Sequence, residues 1–341
     1  MKRNLFFVTL VSGLFVLISS ATHASEVAEI NSTAAVETHK EAPLTAFQFL
    51  QLMQTAYKEL NYELLYLNNL QNQVEPKQLI HGVIEDQEIA YFRFLNGAMR
   101  ESLHYSGKTS YFEQGSQAYT LQSTFNQSVF ANIANFDYEQ GKNSYEYIIL
   151  GNGRIAGKKA IAIRMISKDK YRYSYVVWLD IETHLPLRLD TLNESNVMLE
   201  QVMVVSLQVT EDINPWLESL TSQQLPEILH LPQNSEQVSA WELDWLPTGF
   251  SVVKNDLHKL VMHENEPVSY IMINDGIVTV SIYISGKKMQ SQEKPQIIKR
   301  GAMVVYTDQT NDIEVNIVGE IPVATAQRLV ESVVKVKANQ Q

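Results

Sequence analysis

The chain has 341 residues, and its 27 Lys and Arg against 38 Asp and Glu leave a formal charge of −11. That balance argues against nucleic-acid binding, which needs basic surface to displace counterions from phosphates. With 45% hydrophobic residues, 19% charged residues and no cysteine, the chain is globular and long enough for about two domains; disulfide staples, Cys-ligated zinc, iron–sulfur clusters and cysteine nucleophiles are excluded.

The first 24 residues have the pattern of a secretory signal. Lys2 and Arg3 precede an apolar run, Leu5 to Ile18, and Thr22 and Ala24 supply small residues at −3 and −1 of a cut. At about 1.5 Å per residue the run spans ~21 Å, short of the ~30 Å needed to cross a bilayer. Export with cleavage is the expectation. No Cys follows that could take a lipid. Residues 25–43 are polar and small and form a flexible lead-in.

A helix is expected from Thr45. Thr45 and Gln48 make a capping box, Leu44 can staple onto Phe49, and Phe47, Leu50, Met53, Tyr57 and Leu60 recur at helical spacing. From about Tyr62 to Thr210 the pattern changes to strands: Ile89–Leu95, Met99–Tyr105, Ser110–Glu113, Ala118–Leu121, Tyr145–Leu150, Lys159–Ile166, Tyr171–Leu179, Leu187–Leu192 and Val197–Val209. Turn signals such as Asn96-Gly97 and Ser106-Gly107 leave hairpin-sized gaps, which imply antiparallel pairing. Phe125–Phe136 lacks alternation and reads as a helix or a loop crossing the sheet.

Residues 211–235 carry Pro215, Pro226 and Pro232 and form the linker candidate, with one short helix around Trp216, Leu217 and Leu220. Strands follow at Val252–Val253, Val268–Asn274, Ile277–Ile284, Met303–Thr307 and Asp312–Val318. Pro322 opens a last helix with Ala326, Leu329, Val330 and Val333 on one face. This is a second, smaller α+β domain. The expected divisions are 1–24 signal, 25–43 lead-in, 44–210 large β domain, 211–235 linker and 236–337 small domain.

No catalytic constellation stands out. His258 and His263 are five apart and do not share a helical face. Gly151–Gly157 (GNGRIAG) misses the spacing of a phosphate loop and precedes a strand, so a hairpin turn between Ile149 and Ile161 explains its glycines better. There is no G-x-S-x-G elbow, and the acidic pairs Glu85/Asp86 and Glu182/Asp190 are ordinary turn residues. The expectation is a protein without cofactor or metal, and no enzyme.

The stretch Tyr171–Asp180 (YRYSYVVWLD) carries apolar bulk on both faces, with Tyr171, Tyr173 and Tyr175 on one and Trp178 on the other. A central strand covered on both sides accounts for it. One face lining an apolar cleft for a lipid or peptide accounts for it as well, because a tyrosine hydroxyl suits a wet cleft.

The chain resembles the RseB/MucB family of regulators of the envelope-stress sigma factor, from roughly Thr45 to Val336. The stretches that carry the resemblance are Tyr111-Phe112-Glu113 with Gly115, Arg172–Asp180 continuing to Leu185–Asp190, and Leu199-Glu200-Gln201. In the smaller domain they are Trp245-Leu246-Pro247 with Gly249-Phe250, Asp275-Gly276, and Ile317–Glu320 with Pro322. The resemblance implies an α+β protein: a large N-terminal unclosed antiparallel β-barrel with covering helices, similar to lipoprotein carriers, and a smaller C-terminal sheet-and-helix domain. It implies a periplasmic negative regulator that binds the periplasmic segment of a membrane anti-sigma factor (RseA/MucA) and shields it from site-1 proteolysis. Lipopolysaccharide or another lipidated ligand is expected to release the grip. A lipoprotein or lipid carrier is the alternative, and a homo-oligomer is compatible with the sequence. By resemblance the partner site involves the small domain, with Trp245, Pro247, Gly249 and Phe250 as candidates; for these four a turn bracketed by core aromatics is the competing explanation. Lys287, Lys288, Lys294, Lys299 and Arg300 form a basic stretch that would meet an acidic partner or lipid phosphates, or else a solvated edge.

Overall fold

The computed structural model describes residues 43–70, 73–123, 128–229, 239–258, 268–286, 295–310 and 312–336. The expected signal, nearly all of the lead-in, the end of the linker and Lys287, Lys288 and Lys294 lie outside the described residues. Among the described residues no helix is long and apolar enough to cross a membrane.

Helix α1 (Ala46–Glu59) starts at the expected capping box, in which the Thr45 side chain accepts from the Gln48 N–H. It buries Ala46, Leu50, Met53, Ala56 and Tyr57. Six strands then meander: β1 (Asn61–Leu70), β2 (Gln73–Ile84), β3 (Gln87–Phe94), β4 (Arg100–Tyr105), β5 (Lys108–Glu113) and β6 (Tyr119–Gln122). Helices α2 (Ala131–Asn135) and α3 (Tyr138–Gly141) lead to five more: β7 (Tyr145–Ile155), β8 (Lys158–Ser167), β9 (Ser174–Asp180), β10 (Pro186–Leu192) and β11 (Met198–Thr210). Strand β11 pairs with β1, so one antiparallel sheet of eleven strands runs β6-β5-β4-β3-β2-β1-β11-β10-β9-β8-β7. Its end strands β6 and β7 do not pair with each other, so the barrel is unclosed.

The turns follow from backbone sterics. Ser106-Gly107 and Ala156-Gly157 join paired strands with positive φ at both residues, as type I′ hairpins require, and Glu85-Asp86 does the same without glycine. The hairpin expected within Gly151–Gly157 is therefore a two-residue turn at Ala156-Gly157. Gly151 sits at a bulge in β7, and Gly153 lies under Trp178. Asn96-Gly97 falls in a longer connection between β3 and β4.

Helix α1 is pinned to α2 by Gln54, whose Nε2 donates to the carbonyls of Ala134 (3.2 Å) and Phe136 (2.9 Å). Beneath these helices lie Tyr62, Leu64 and Tyr66 of β1 and Val202 and Val204 of β11. The first part of the expected linker is docked. Helix α4 (Pro215–Ser219) buries Leu217 against Ile80, Ile89, Tyr91 and Leu103, and Ile228 bridges to Thr120 beside β6.

The small domain has β12 (Trp241–Leu243), β13 (Ser251–His258), β14 (Val268–Asn274), β15 (Thr279–Gly286), β16 (Gln296–Arg300), β17 (Met303–Thr310), β18 (Ile313–Gly319), α5 (Val323–Glu331) and β19 (Val333–Lys335). Its main sheet is antiparallel in the order β13-β14-β15-β18-β17-β16. Val333 leaves the helix to which its spacing assigned it. Helix α5 ends at Glu331 with Ser332 as its C-cap, and Val333 pairs with Leu243 in the β12–β19 ladder. Apolar contact is continuous between the domains: Leu50, Ile163 and Val177 belong to the same core as Ile273, Val280, Ile317 and Leu329.

A Cβ added at Gly153 would lie 2.5 Å from Trp178 Cζ3. Gly153→Ala is expected to cost about 1–3 kcal/mol through overpacking, read by urea denaturation. An unchanged midpoint would contradict the close approach.

Candidate functional site

The stretch leading into β9 bends before it becomes strand. Asp169 caps the bend by accepting the Tyr171 N–H at 2.8 Å, so β9 begins at Ser174 and not at the expected Tyr171. That bend delivers Arg172 to the boundary between the domains, where it is 4% exposed. Its guanidinium donates to Asp169 Oδ1 and Oδ2 (3.3 Å each), to Asp275 Oδ2 (3.1 Å) and to the Thr248 carbonyl. It lies between the rings of Tyr145 and Phe250, 5.4 Å from each centroid. Burial pushes the Asp275 carboxyl up. The Val278 and Ile277 N–H groups, at 2.8 and 3.0 Å, and Arg172 oppose that shift without cancelling it. Those three donors fix the Asp275 side chain in place as the partner of Arg172.

The surrounding residues close the seam. Gly249 has φ +83, and a Cβ there would lie 2.7 Å from Ser144 Oγ, which donates to the Thr248 carbonyl. Gly276 has φ +97 and faces the Phe136 ring. The Tyr173 hydroxyl donates to the Ile321 carbonyl at 2.9 Å, and burial pushes this phenol up to about 12, with Glu320 and Glu200 adding to the effect. Thr325 Oγ1 donates to the Tyr171 carbonyl at 2.9 Å. At the rim Tyr171 and Trp245 meet edge to face at 4.8 Å, with the exposed Arg328 over both rings.

A cavity of about 500 Å³ lies beside the seam. Strand register builds its floor in two rows. Tyr175, Thr191 and Glu200 are paired across β9, β10 and β11. Leu189, Val202 and Asn68 are paired across β10, β11 and β1. Ile133 of α2 and Ile277 and Glu320 of the small domain complete the wall. Glu200 Oε1 accepts the Ala302 N–H at 2.8 Å, and its carboxyl group fills the space a side chain at Gly301 would need. Burial pushes the Glu200 carboxyl up, against the pull of that N–H, Arg300 and Lys77. Glu320 is pushed up to about 7, first by burial and then by Glu200. Among the described residues no cluster of His, Asp and Glu suits a metal ion.

Two family profiles cover the chain: the MucB/RseB N-terminal domain over residues 45–229 and the MucB/RseB C-terminal domain over residues 235–334. The chain belongs to the MucB/RseB family. It is 30% identical to the sigma-E factor regulatory protein RseB of Escherichia coli over 335 residues, 98% of each chain. Against the protein of the same name from Salmonella typhimurium it is 31% identical over 284 residues, 83% of this chain and 89% of the relative. The complex structure of Pseudomonas aeruginosa MucA/MucB superposes with a TM-score of 0.70 at 23% identity, covering 86% of this chain and 99% of that one. The named relatives of this MucB/RseB chain are regulatory proteins.

The candidate residues fall in distinct places. Of the aromatic stretch, Tyr175 lines the cavity, Tyr171 and Tyr173 join the seam, and Trp178 lies on the far side of β9 against Gly153 with Arg188 over its ring. Pro247, Gly249 and Phe250 form the turn that receives Arg172, and Trp245 reaches the rim. Arg300 is engaged with the large domain. It donates to Gln73 Oε1 at 2.6 Å and lies 3.7 Å from Glu75. Asn68 was not singled out from the sequence. Its one signal is a polar side chain in the buried phase of β1, after Tyr62, Leu64 and Tyr66.

A carboxyl group whose folded-state pKa lies above its ordinary value of 4.5 binds its proton more tightly when folded. The stability this gives is present below that value and is lost as pH rises through 7. The loss amounts to roughly 3 kcal/mol at most. Glu320→Gln is therefore expected to match the parent near pH 4.5 and to exceed it in stability by up to roughly 3 kcal/mol at pH 8. Denaturation curves at the two pH values test this; an equal difference at both would contradict it.

Proposed function

We propose that the protein is a periplasmic negative regulator of the sigma-E envelope-stress response. It holds the periplasmic segment of a membrane anti-sigma factor of the RseA/MucA type and shields that segment from site-1 proteolysis. Family membership along nearly the whole chain is the observation that carries this reading. The export pattern of residues 1–24 supports the periplasmic location.

The seam suggests how such a protein grips a flexible segment. A disordered partner orders on binding, so a rigid surface that needs no ordering of its own limits the entropy lost. Tyr171, Trp245 and Arg328 are the residue types that dominate binding hot spots, and they sit together at the rim where both domains are reachable. We place the partner's main contact there.

Lipopolysaccharide or another lipidated ligand releases the segment in this reading. A ligand shifts the partner equilibrium only by its preference for the partner-free form, and a tenfold release requires about 1.4 kcal/mol of coupling. The carrier alternative requires residues 44–210 to act alone. Continuity of the core between the domains favours the regulator.

Calorimetry with the periplasmic part of the cognate anti-sigma factor tests the reading. Stoichiometric binding is expected, weakened at least tenfold by Trp245→Ala, a loss of about 1.4 kcal/mol or more. Lipopolysaccharide is expected to lower the affinity further. Absence of binding would overturn the regulator; binding unaffected by lipopolysaccharide would remove the lipid switch.

A further inference from the structure

The bend before β9 sorts its charges by side. In Lys168-Asp169-Lys170-Tyr171-Arg172 the Asp169 carboxylate and the Arg172 guanidinium turn inward and bond each other, and Asp169 also accepts the Tyr171 N–H. Lys168 and Lys170 are left exposed on the outside. Arg328 of α5 joins them. The Lys170 ammonium and the Arg328 guanidinium both approach the Tyr171 ring, at 5.6 and 5.1 Å from its centroid. Arg328 also lies over Trp245 at 4.1 Å and gives one N–H to the Tyr171 hydroxyl.

These cations lack counter-ions. Lys168 donates to the Lys142 carbonyl at 2.5 Å, and Lys142 itself is matched by Glu139 at 2.7 Å. Among the described residues no carboxylate pairs with Lys168, Lys170 or Arg328. Asp169 is saturated by its inward donors, and the exposed Asp244 and Glu331 form no ion pair with Arg328. In a chain of formal charge −11, three unmatched cations beside two half-buried rings are a local reversal of sign.

We propose that this rim reads an acidic peptide segment, with a partner carboxylate seated on Arg328 beside Trp245 and Tyr171, and with Lys168 and Lys170 steering the segment into place.

The proposal deepens the partner reading above and rests on it. A guanidinium stacked on an indole uses its face and keeps its N–H donors at the edge, where they match both oxygens of a carboxylate. The ring shields one side from water, so an ion pair there is stronger than one on an open surface. Lysine ammonium groups stay hydrated and act mainly on the rate of encounter. The acidic charge of the rest of the chain repels an acidic segment, so the rim also fixes where that segment lies. A bilayer fits this surface less well. Tyr171 and Trp245 are half-buried and do not protrude for insertion, and the net charge repels an anionic lipid surface.

Calorimetry of the full-length mature protein with the periplasmic part of the cognate anti-sigma factor tests the proposal. Raising NaCl from about 50 to about 500 mM is expected to weaken binding several-fold. Arg328→Gln is expected to weaken it about tenfold and to reduce that salt dependence, with Arg328→Lys falling between. The double variant Lys168→Gln/Lys170→Gln is expected to lose about threefold, mainly through slower association. Arg328 is exposed, so an unchanged thermal transition separates loss of this contact from loss of the fold. Replacing the partner's acidic residues singly by amides is expected to find one whose loss costs nothing further in Arg328→Gln. Parent affinity in Arg328→Gln, binding indifferent to salt, or additive losses at every partner carboxylate would overturn the acidic-peptide assignment and leave the regulator standing. The assignment would also be overturned if the three cations were needed for binding phosphatidylglycerol vesicles and not for binding the partner. Absence of partner binding in the parent would overturn both.

Discussion

A guanidinium taken out of water must find a fixed partner for nearly every N–H it carries, because an uncompensated buried charge costs several kcal/mol. Arg172 meets that demand with groups from both domains: Asp169 from its own bend, and Asp275 and the Thr248 carbonyl from the smaller domain. The requirement propagates. Asp275 needs the Ile277 and Val278 N–H groups, which fixes the turn after β14, and Gly276 lets that turn lie against Phe136. Thr248 must present its carbonyl, which the turn from Pro247 to Phe250 and the positive φ of Gly249 accomplish. One buried charge therefore dictates the conformation of two loops and the relation of the two sheets.

The cavity inherits its geometry from that arrangement. Its floor is set by strand register in the large sheet, and Glu320 reaches it only because β18 and the following Ile321 are held by Tyr173. Glu200 ties the far end by gripping the β16–β17 turn. The seam and the cavity are thus two consequences of the same docking. A ligand that changed the charge state of the cavity would act directly on residues that join the domains.

Much of this was legible in the sequence, for identifiable reasons. The capping box at Thr45 and Gln48 marks α1, and the hairpin-sized gaps give antiparallel pairing, because both depend on local chemistry. The unclosed large sheet came from the family resemblance, since closure is a long-range property that no short pattern encodes. Neither β1 nor β2 is legible as a separate strand, because Gln73–Ile84 mixes Pro76, Lys77 and His81 into a strand whose burial only the tertiary structure supplies. Several stretches that carry the resemblance hold residues of the seam or the cavity: Arg172, Glu200, the turn near Gly249, Asp275-Gly276 and Glu320. In three dimensions they converge on the seam. Nothing in their spacing along the chain shows that convergence, because their contacts cross between domains. Asn68 escaped notice because a lone polar residue in an alternating strand looks like a register slip.

The central claim is that Arg172 makes two domains one body. The most direct measurement is equilibrium unfolding followed from each domain separately, in single-tryptophan versions that keep Trp178 in the large sheet or Trp245 in the small domain. The account predicts coincident transitions for the parent protein. With Arg172→Ala, which leaves Asp275 buried without a countercharge at a cost of about 3–5 kcal/mol, it predicts that the small-domain transition moves to lower denaturant and separates. Separate transitions in the parent, or coincident and unshifted ones in Arg172→Ala, would contradict it.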